Sequence, residues 1–262
     1  MQEKAKRRVY KGCYLLMVCI LPLILFNCTY RSKKLEQSRA YSRLGHIYLR
    51  DGNVTSALRE FLKAEALNPN DPDIHNVLGL IYSENGEYEE AIFHLRRALA
   101  LNPEYSEAYN NLGTVYFKQK KWDLAIRYFQ KALSNPLYPT AERAYFNLGL
   151  VYYQKGELEK AEQNYKEAIK ISPGESAPHY ALGKLYTTIH KWEDAINEYQ
   201  MAIKYSPNHL AAYYDLGRVY LQVNSKDKAR EAFEHVIKTA PESDLGNLAQ
   251  KQLKHISAIP GS

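Results

Sequence analysis

The dipeptide Leu-Gly recurs through most of this 262-residue chain at a nearly constant interval. The six copies are Leu44-Gly45, Leu78-Gly79, Leu112-Gly113, Leu148-Gly149, Leu182-Gly183 and Leu216-Gly217, so that successive glycines are 34, 34, 36, 34 and 34 residues apart. A Tyr follows each Gly after three residues and an Ala after twelve, and every unit closes on a Pro. An interval in this range indicates stacked units, each too small to bury an apolar face alone.

Within one unit, numbered so that the Gly is position 8, the apolar residues fall at helical spacing. Positions 4, 7, 8 and 11 share one face of a first helix, and positions 20, 24 and 27 share one face of a second. In the third unit these residues are Tyr109, Leu112, Gly113, Tyr116, Ala125, Phe129 and Ala132. The small residues at positions 8 and 20 predict a close approach of two backbones, and the Pro ends the second helix. The chain is therefore predicted to be all-α, a right-handed superhelix of six helix hairpins.

These columns resemble the tetratricopeptide repeat over residues 38–243, most of the chain. The resemblance implies a protein-binding scaffold and divides the chain into four parts. They are a leader over 1–28, a linker over 29–37, six repeats over 38–243, and a capping helix with a tail over 244–262.

The leader consists of basic residues followed by an apolar run from Tyr14 to Phe26 and by Cys28. A run of about thirteen residues is shorter than the ~20 that span a bilayer and fits the apolar region of a secretory signal. Its end resembles a bacterial lipoprotein signal, with Cys28 as the lipid-bearing residue. An uncleaved membrane anchor and an incidental apolar start remain as alternatives. The expected location is the cell envelope, anchored to a membrane and facing the periplasm, with the outer membrane favoured.

Cysteine usage and charge exclude several classes of function. All 3 Cys lie in the first 28 residues, so the body holds neither a disulfide frame nor a thiolate metal site. The leader carries four of the six net positive charges, which leaves about +2 on the body. This charge does not indicate nucleic-acid binding.

The first helices are expected to present Asn and aromatic residues on the concave side of the superhelix. The predicted peptide-groove residues are Asn76, Asn110, Asn111, Phe117, Phe146, Asn147, Tyr153, Tyr180 and Tyr214. An Asn amide both donates to and accepts from an extended backbone, and exposed aromatic side chains supply binding anchors. The alternative is that Phe117, Phe146 and Tyr153 pack against a neighbouring helix as core.

No pattern for catalysis or for a cofactor emerges from the sequence. The 8 His include no pair three or four residues apart, the spacing of a metal site on one helix. The sequence also lacks a glycine-rich phosphate loop and a nucleophile elbow. We therefore expect no enzyme activity, metal, cofactor or small-molecule substrate. The Lys and Asn arrangement of chaperone-binding carboxylate clamps is missing too, which disfavours a chaperone adaptor.

The linker between repeats three and four departs from the common interval. It reads Asn135-Pro136-Leu137-Tyr138-Pro139, and its two prolines predict a stiff extended turn with Leu137 and Tyr138 held outward or tucked beneath it. With six repeats and a lipoprotein-like start, this linker is similar to that of type IV pilus biogenesis lipoproteins of the PilF and PilW type. That resemblance implies an outer-membrane lipoprotein that assists the pilus secretin. The alternative function is a general envelope adaptor for other partners, such as peptidoglycan enzymes or proteases.

Overall fold

The computed structural model describes residues 31–258, and these residues form thirteen α-helices and no strand. The helices are α1 (31–50), α2 (Val54–Leu67), α3 (Pro72–Glu84), α4 (Tyr88–Leu101), α5 (Ser106–Lys118), α6 (Trp122–Leu133), α7 (Ala141–Gln154), α8 (Leu158–Ile171), α9 (Ser176–Thr188), α10 (Trp192–Tyr205), α11 (Leu210–Gln222), α12 (Lys226–Thr239) and α13 (Asp244–Ala258). The all-α prediction is confirmed. Each repeat is one pair of consecutive helices, from α1 with α2 to α11 with α12. The predicted leader and Cys28 lie outside the described residues.

Contacts within the chain define two compact units, residues 1–111 and residues 112–262, with the boundary inside α5. In the described part of the first unit, Ala57, Phe61 and Ala64 on α2 are buried against α3. These residues occupy positions 20, 24 and 27, the predicted core positions of a second helix. Among residues 31–258, no helix has the length and apolar character that crossing a membrane requires.

In repeats three to five, whose second helices lie in the second unit, the same three positions bury an aromatic ring between two alanines. Tyr165 on α8 and Tyr199 on α10 are each 1% exposed, and the alanines beside them are fully buried. A Cβ atom added to Gly183 would lie 2.8 Å from Cδ1 of Tyr199, closer than van der Waals contact allows. In all six repeats the atom nearest to such a Cβ belongs to the side chain at position 24. The close approach predicted at the Gly is therefore made first by the large side chain opposite it, and in repeat two also by the backbone, where the Ala91 carbonyl oxygen would lie 3.1 Å from the added Cβ.

Every turn between the two helices of a repeat contains one residue with a positive φ at position 15. Three repeats place Gly there, with Gly86 at φ +81° as an example. The other three place Lys120, His190 and Asn224 there, at φ of 56° to 59°. L-residues with a Cβ reach this region only at an energetic cost. The turn geometry is therefore common to all repeats, although its sequence is not.

The irregular linker separates its two central side chains. Helix α6 ends at Leu133 and α7 begins at Ala141. Leu137 is 84% exposed, whereas Tyr138 is 5% exposed. Of the two arrangements left open by the sequence, Leu137 therefore takes the outward one and Tyr138 the buried one.

The two ends of the described region differ in how well the sequence predicts them. Residues 31–37, assigned to the linker, are helical and belong to α1, because this stretch contains no Gly or Pro and several good helix formers. Helix α13 lies where the capping helix is predicted, and it packs against α12 and α11. Its buried residues over 244–256 are Gly246, Ala249 and Ile256.

Candidate peptide-binding face

Side chains on the first helices of neighbouring repeats are joined by hydrogen bonds. Within each unit, we call the surface formed by positions 5, 6, 12 and 13 of these helices the first-helix face. In the first unit, Nδ2 of Asn111 donates to Oδ1 of Asn76 at 2.9 Å, so position 5 of repeat two meets position 6 of repeat three. The bond uses one of the four hydrogen-bonding positions of the Asn111 amide, so this half-buried side chain keeps capacity for a second partner.

A half-buried Tyr holds the Asn76 amide from the other side. Nδ2 of Asn76 donates to the Tyr105 hydroxyl at 3.4 Å. Burial raises the pKa of Tyr105, and its hydrogen bond to the Asp73 carboxylate raises the pKa further. Tyr105 therefore stays neutral and donates to Asp73 while it accepts from Asn76. The chain of hydrogen bonds from Asp73 to Asn111 fixes the orientation of both amides.

The second unit repeats this link with different side chains. The Tyr180 hydroxyl donates to Oδ2 of Asp215 at 2.9 Å, again from position 5 to position 6 of the next repeat. Burial raises the pKa of Tyr180 and Asp215 raises it further, so the hydroxyl keeps its proton. Arg218 donates to the other carboxylate oxygen at 3.4 Å. At position 12, the Tyr153 hydroxyl lies 2.9 Å from Oγ1 of Thr188 at position 13 of the following repeat.

The aromatic residues of the predicted groove are half-buried. Their exposure is therefore intermediate between that of open groove anchors and that of core residues, the two alternatives left by the sequence. Three of them occupy position 5, and each packs against the ring at position 24 of its own repeat. The ring centroids are 6.0 Å apart for Phe146 and Tyr165, 5.8 Å for Tyr180 and Tyr199, and 5.6 Å for Tyr214 and Phe233. Phe117 packs against Trp122 at 5.3 Å. Each ring therefore presents only one part of its surface.

The predicted Asn residues also differ in accessibility. Asn76 and Asn110 are 8% and 7% exposed, so the prediction that they line an open surface is wrong for most of each side chain. Asn111 and Asn147 are half-buried. In repeat three, Asn110 at position 5 is therefore buried, whereas Asn111 at position 6 keeps part of its side chain in solvent.

A polar cleft of about 370 Å³ lies at the start of the first unit. Arg39, Arg43 and His46 of α1 form one wall, and Asp71 and Asp73 form another. Both signs of charge are present, so the cleft suits a dipolar peptide backbone better than a simple anion.

Sequence reasoning missed the partners of the face residues. Tyr105, Thr188 and Asp215 complete the hydrogen bonds described above. Asn76, Tyr153 and Tyr180 occupy position 5 or position 12, and each is bonded to a residue 35 positions later in the chain. One repeat length plus one residue is a signal that the sequence contains. A separate group of Glu65, His75 and His94 also converges in the first unit. A search for His pairs on one helix does not detect it, because its members come from three helices.

Family models agree with this architecture over most of the chain. Models described as tetratricopeptide repeat match residues 104–174 and 190–253, and one described as TPR repeat matches 45–86 and 79–120. A model of YpiA-like tetratricopeptide repeats matches 153–206. The matches together run from residue 45 to residue 253. The chain is a tetratricopeptide repeat protein.

Solved structures with this repeat architecture include two pilus proteins. PilF of Pseudomonas aeruginosa superposes with a TM-score of 0.73 at 22% identity, covering 84% of this chain and 99% of its own. PilW, described as a widely conserved type IV pilus biogenesis factor, has a TM-score of 0.75 at 20% identity, with coverages of 81% and 98%. YrrB, described as a TPR protein with an unusual peptide-binding site, has a TM-score of 0.55 at 22% identity, with coverages of 73% and 97%.

These similarities establish the fold of the repeat protein. At identities of 20–22% they do not transfer a function. In all, 491 chains of solved structures match, so the repeat architecture alone selects no single role. No curated protein sequence matches the chain significantly.

Proposed function

We propose that this tetratricopeptide repeat protein is a membrane-tethered scaffold that binds an extended segment of a type IV pilus secretin on its first-helix face. The observation that carries the binding mode is the repeated link between first helices, Asn76 with Asn111 and Tyr180 with Asp215. It orients polar groups before a partner arrives, which reduces the entropy that binding must overcome.

The polar part of the face matches the hydrogen-bonding groups of an extended chain. Asn111 keeps hydrogen-bonding capacity beyond its bond to Asn76, and Asn147 is half-buried at the same position of the next repeat. Amide side chains pair with both the N–H and the C=O groups of a peptide backbone. This recognition depends little on partner sequence, so specificity comes from the neighbouring side chains.

The aromatic part supplies that specificity. Tyr180 and Tyr214 are held by rings at position 24, so they lose little freedom on binding. Rigid, partly buried aromatic side chains are the residues that most often dominate interface energies. Apolar side chains at alternate positions of the bound segment would contact their exposed edges.

A role in type IV pilus biogenesis is proposed because the chain spans nearly the whole of PilF and PilW with the same repeat architecture. The secretin is the partner that the resemblance of the sequence to this lipoprotein family implies. The irregular linker and the lipoprotein-like leader of the sequence point in the same direction. Cys28 is the proposed lipid attachment site, and the outer membrane facing the periplasm is the proposed location. Arg31, Lys33 and Lys34, which follow the leader at the start of α1, would then face lipid headgroups.

A deletion strain of the source bacterium tests this function through heat-stable secretin multimers in the membrane fraction. We expect the multimers to disappear on deletion and to return with the wild-type gene but not with Cys28→Ser. The double variant Asn111→Ala, Asn147→Ala should also fail to restore them. Asn197→Ala is the matched control, because Asn197 is exposed on the second helix α10 and lies off the first-helix face.

Two results would redirect the proposal. Unchanged multimers in the deletion strain would exclude the secretin role and leave a general envelope adaptor for other partners. Restoration by the double Asn variant, with its helical circular dichroism intact, would show that the first-helix face is not the binding surface.

A further inference from the structure

Three side chains with metal-binding atoms converge between the first two repeats. Glu65 lies on α2, His75 on α3 and His94 on α4. The Nδ1 atoms of the two His are 3.1 Å apart. Oε1 of Glu65 lies 3.5 Å from Nδ1 of His75 and 3.7 Å from Nδ1 of His94.

This triangle has the dimensions of one face of a tetrahedral metal site. Zinc binds His nitrogen and carboxylate oxygen at about 2.0–2.2 Å, so two ligand atoms of a tetrahedron are about 3.4 Å apart. The three measured distances lie on both sides of that value. A point just above the plane of the three atoms is therefore about 2.1 Å from each of them, the bond length that the ion requires.

The hydrogen bonds of His75 leave a lone pair on its Nδ1, one of the three atoms of this triangle. Its Nε2 lies 2.9 Å from the carbonyl oxygen of Pro69. A carbonyl only accepts, so Nε2 carries the hydrogen and Nδ1 presents its lone pair. Metal-ligating His residues commonly donate their other N–H to a backbone carbonyl in this way. Without an ion, His94 must donate from Nδ1 to His75, whereas with an ion it takes the other tautomer and presents a second lone pair.

Repeat five contains the same positions with a different chemistry, which serves as an internal comparison. His179 corresponds to His75, and its Nε2 contacts the carbonyl of Pro173 at 3.2 Å. Its Nδ1, however, lies 2.6 Å from the Glu198 carboxylate, which corresponds to His94. Ile169 corresponds to Glu65 and offers no donor. Repeat five thus satisfies its buried His by one ordinary ion pair, whereas repeat two brings three donor atoms together.

Burial and access also suit a bound ion. His75 and His94 are 3% and 7% exposed. The Glu65 side chain is 24% exposed, which leaves a route from solvent. A buried site with one accessible ligand excludes most water while it keeps an entry path.

We propose that Glu65, His75 and His94 bind one divalent first-row transition metal ion of the zinc type, with water in the fourth position. Two imidazoles select such ions over calcium and magnesium, which prefer oxygen ligands. The ion joins α2 to the hairpin of α3 and α4 and so clamps repeat one to repeat two. This site is separate from the first-helix face and does not depend on the function proposed above.

Zinc titration of the full-length chain in detergent, in competition with a chromogenic chelator, tests the site. We expect one ion per chain, with affinity reduced about 100-fold or more in His94→Asn and in Glu65→Ile, since loss of a ligand exceeds the 10–100-fold cost of losing an outer hydrogen bond. These replacements are the residues that repeat four has at the equivalent positions, Asn164 and Ile169, so the fold should tolerate them. His179→Asn is the matched control and should leave the affinity unchanged.

A second measurement separates a built site from zinc held by scattered surface groups. Cobalt bound to the wild-type chain should show the visible d–d absorption of four- or five-coordinate geometry, and Glu65→Ile should lose it. Zinc should also raise the thermal midpoint of the wild type but not that of His94→Asn. Equal zinc affinity in the wild type and both variants, or absence of saturable binding, would overturn the proposal.

Discussion

The Tyr180 hydroxyl donates a hydrogen bond of 2.9 Å to Asp215, a residue on the first helix of the next repeat. Three repeats earlier in the array, Asn76 and Asn111 make the equivalent link with side chains of a different type, at the same two repeat positions. Positions 5 and 6 of neighbouring repeats can therefore be joined either by a Tyr hydroxyl and a carboxylate or by two Asn amides. The backbone arrangement of successive first helices sets this relationship, and the side chains adapt to it.

Removal of the Tyr180 hydroxyl should weaken the contact between repeats five and six. Tyr180→Phe retains the ring packed on Tyr199 but loses the bond to Asp215, so we expect a loss of about 1 kcal/mol in the free energy of unfolding. Urea denaturation followed by circular dichroism measures it. Tyr205→Phe is the control, because Tyr205 is 37% exposed, and it should change the stability by less than about 0.5 kcal/mol. An equal effect of both substitutions would contradict the link.

A methyl group at Gly183 should destabilise the fold although Ala is the better helix former. The added Cβ would lie 2.8 Å from the Tyr199 ring, which is 1% exposed. We expect overpacking of about 2–3 kcal/mol to exceed the gain in helix propensity of about 1 kcal/mol, so that Gly183→Ala has a net cost of about 1–2 kcal/mol. Gly174→Ala is the matched control, since no atom lies within 4 Å of its added Cβ. A neutral Gly183→Ala variant would show that the ring moves aside freely.

The turn of repeat three should become more stable when its left-handed residue is replaced by Gly. Lys120 has φ +57°, and the corresponding residue of repeat two is Gly86. We expect Lys120→Gly to raise the free energy of unfolding by about 0.5–1 kcal/mol, because Gly adopts this conformation without a Cβ clash. The reverse change, Gly86→Lys, should cost about 1–2 kcal/mol. Thermal denaturation measures both variants, and their midpoints should move in opposite directions from that of the wild type. Midpoints that move in the same direction would refute the argument.

The His179 ion pair should make stability depend on pH near neutrality. Burial by itself lowers the pKa of His179, but its hydrogen bonds to Glu198 and to the Pro173 carbonyl and the charge of Glu198 outweigh burial and leave the pKa raised. The folded state therefore favours the protonated imidazole. This stabilisation is complete below the unfolded pKa of about 6.5 and is lost as the pH rises through the higher folded pKa.

Urea midpoints measured from pH 5.5 to 8.5 in the wild type and in Glu198→Gln isolate this contribution. The difference in stability between them should be largest at acidic pH and should shrink toward alkaline pH, with a slope of at most about 1.4 kcal/mol per pH unit. A difference that stays constant over this range would show that His179 is neutral in the folded protein.

The features that depend on one helix at a time were predictable from the sequence. A 34-residue interval, with apolar residues at helical spacing, predicts six hairpins, a cap and the core positions of each second helix. Ala125, Phe129 and Ala132 are buried as that pattern requires. The reason is that residues three or four apart share a helix face whatever the helix packs against.

The candidate face was predicted less completely. Periodicity places Asn76 and Tyr180 on the side opposite the core stripe, but it does not state how much of each side chain a neighbour covers. Packing of the position-5 rings on the position-24 rings and the hydrogen bonds 35 residues apart reduce the exposure of both. The sequence also leaves the directions of Leu137 and Tyr138 open, because two prolines stiffen the turn without specifying which side faces the core.

The sequence alone determined the repeat, its hairpins and the family, since all three follow from local spacing and from the small or apolar character of a few columns. Only the tertiary structure decided which side chains from different helices meet. Glu65, His75 and His94 come within 3.7 Å of one another although α2, α3 and α4 carry one each. Their convergence depends on how far apart and at what angle these helices pack, which neither residue spacing nor composition records.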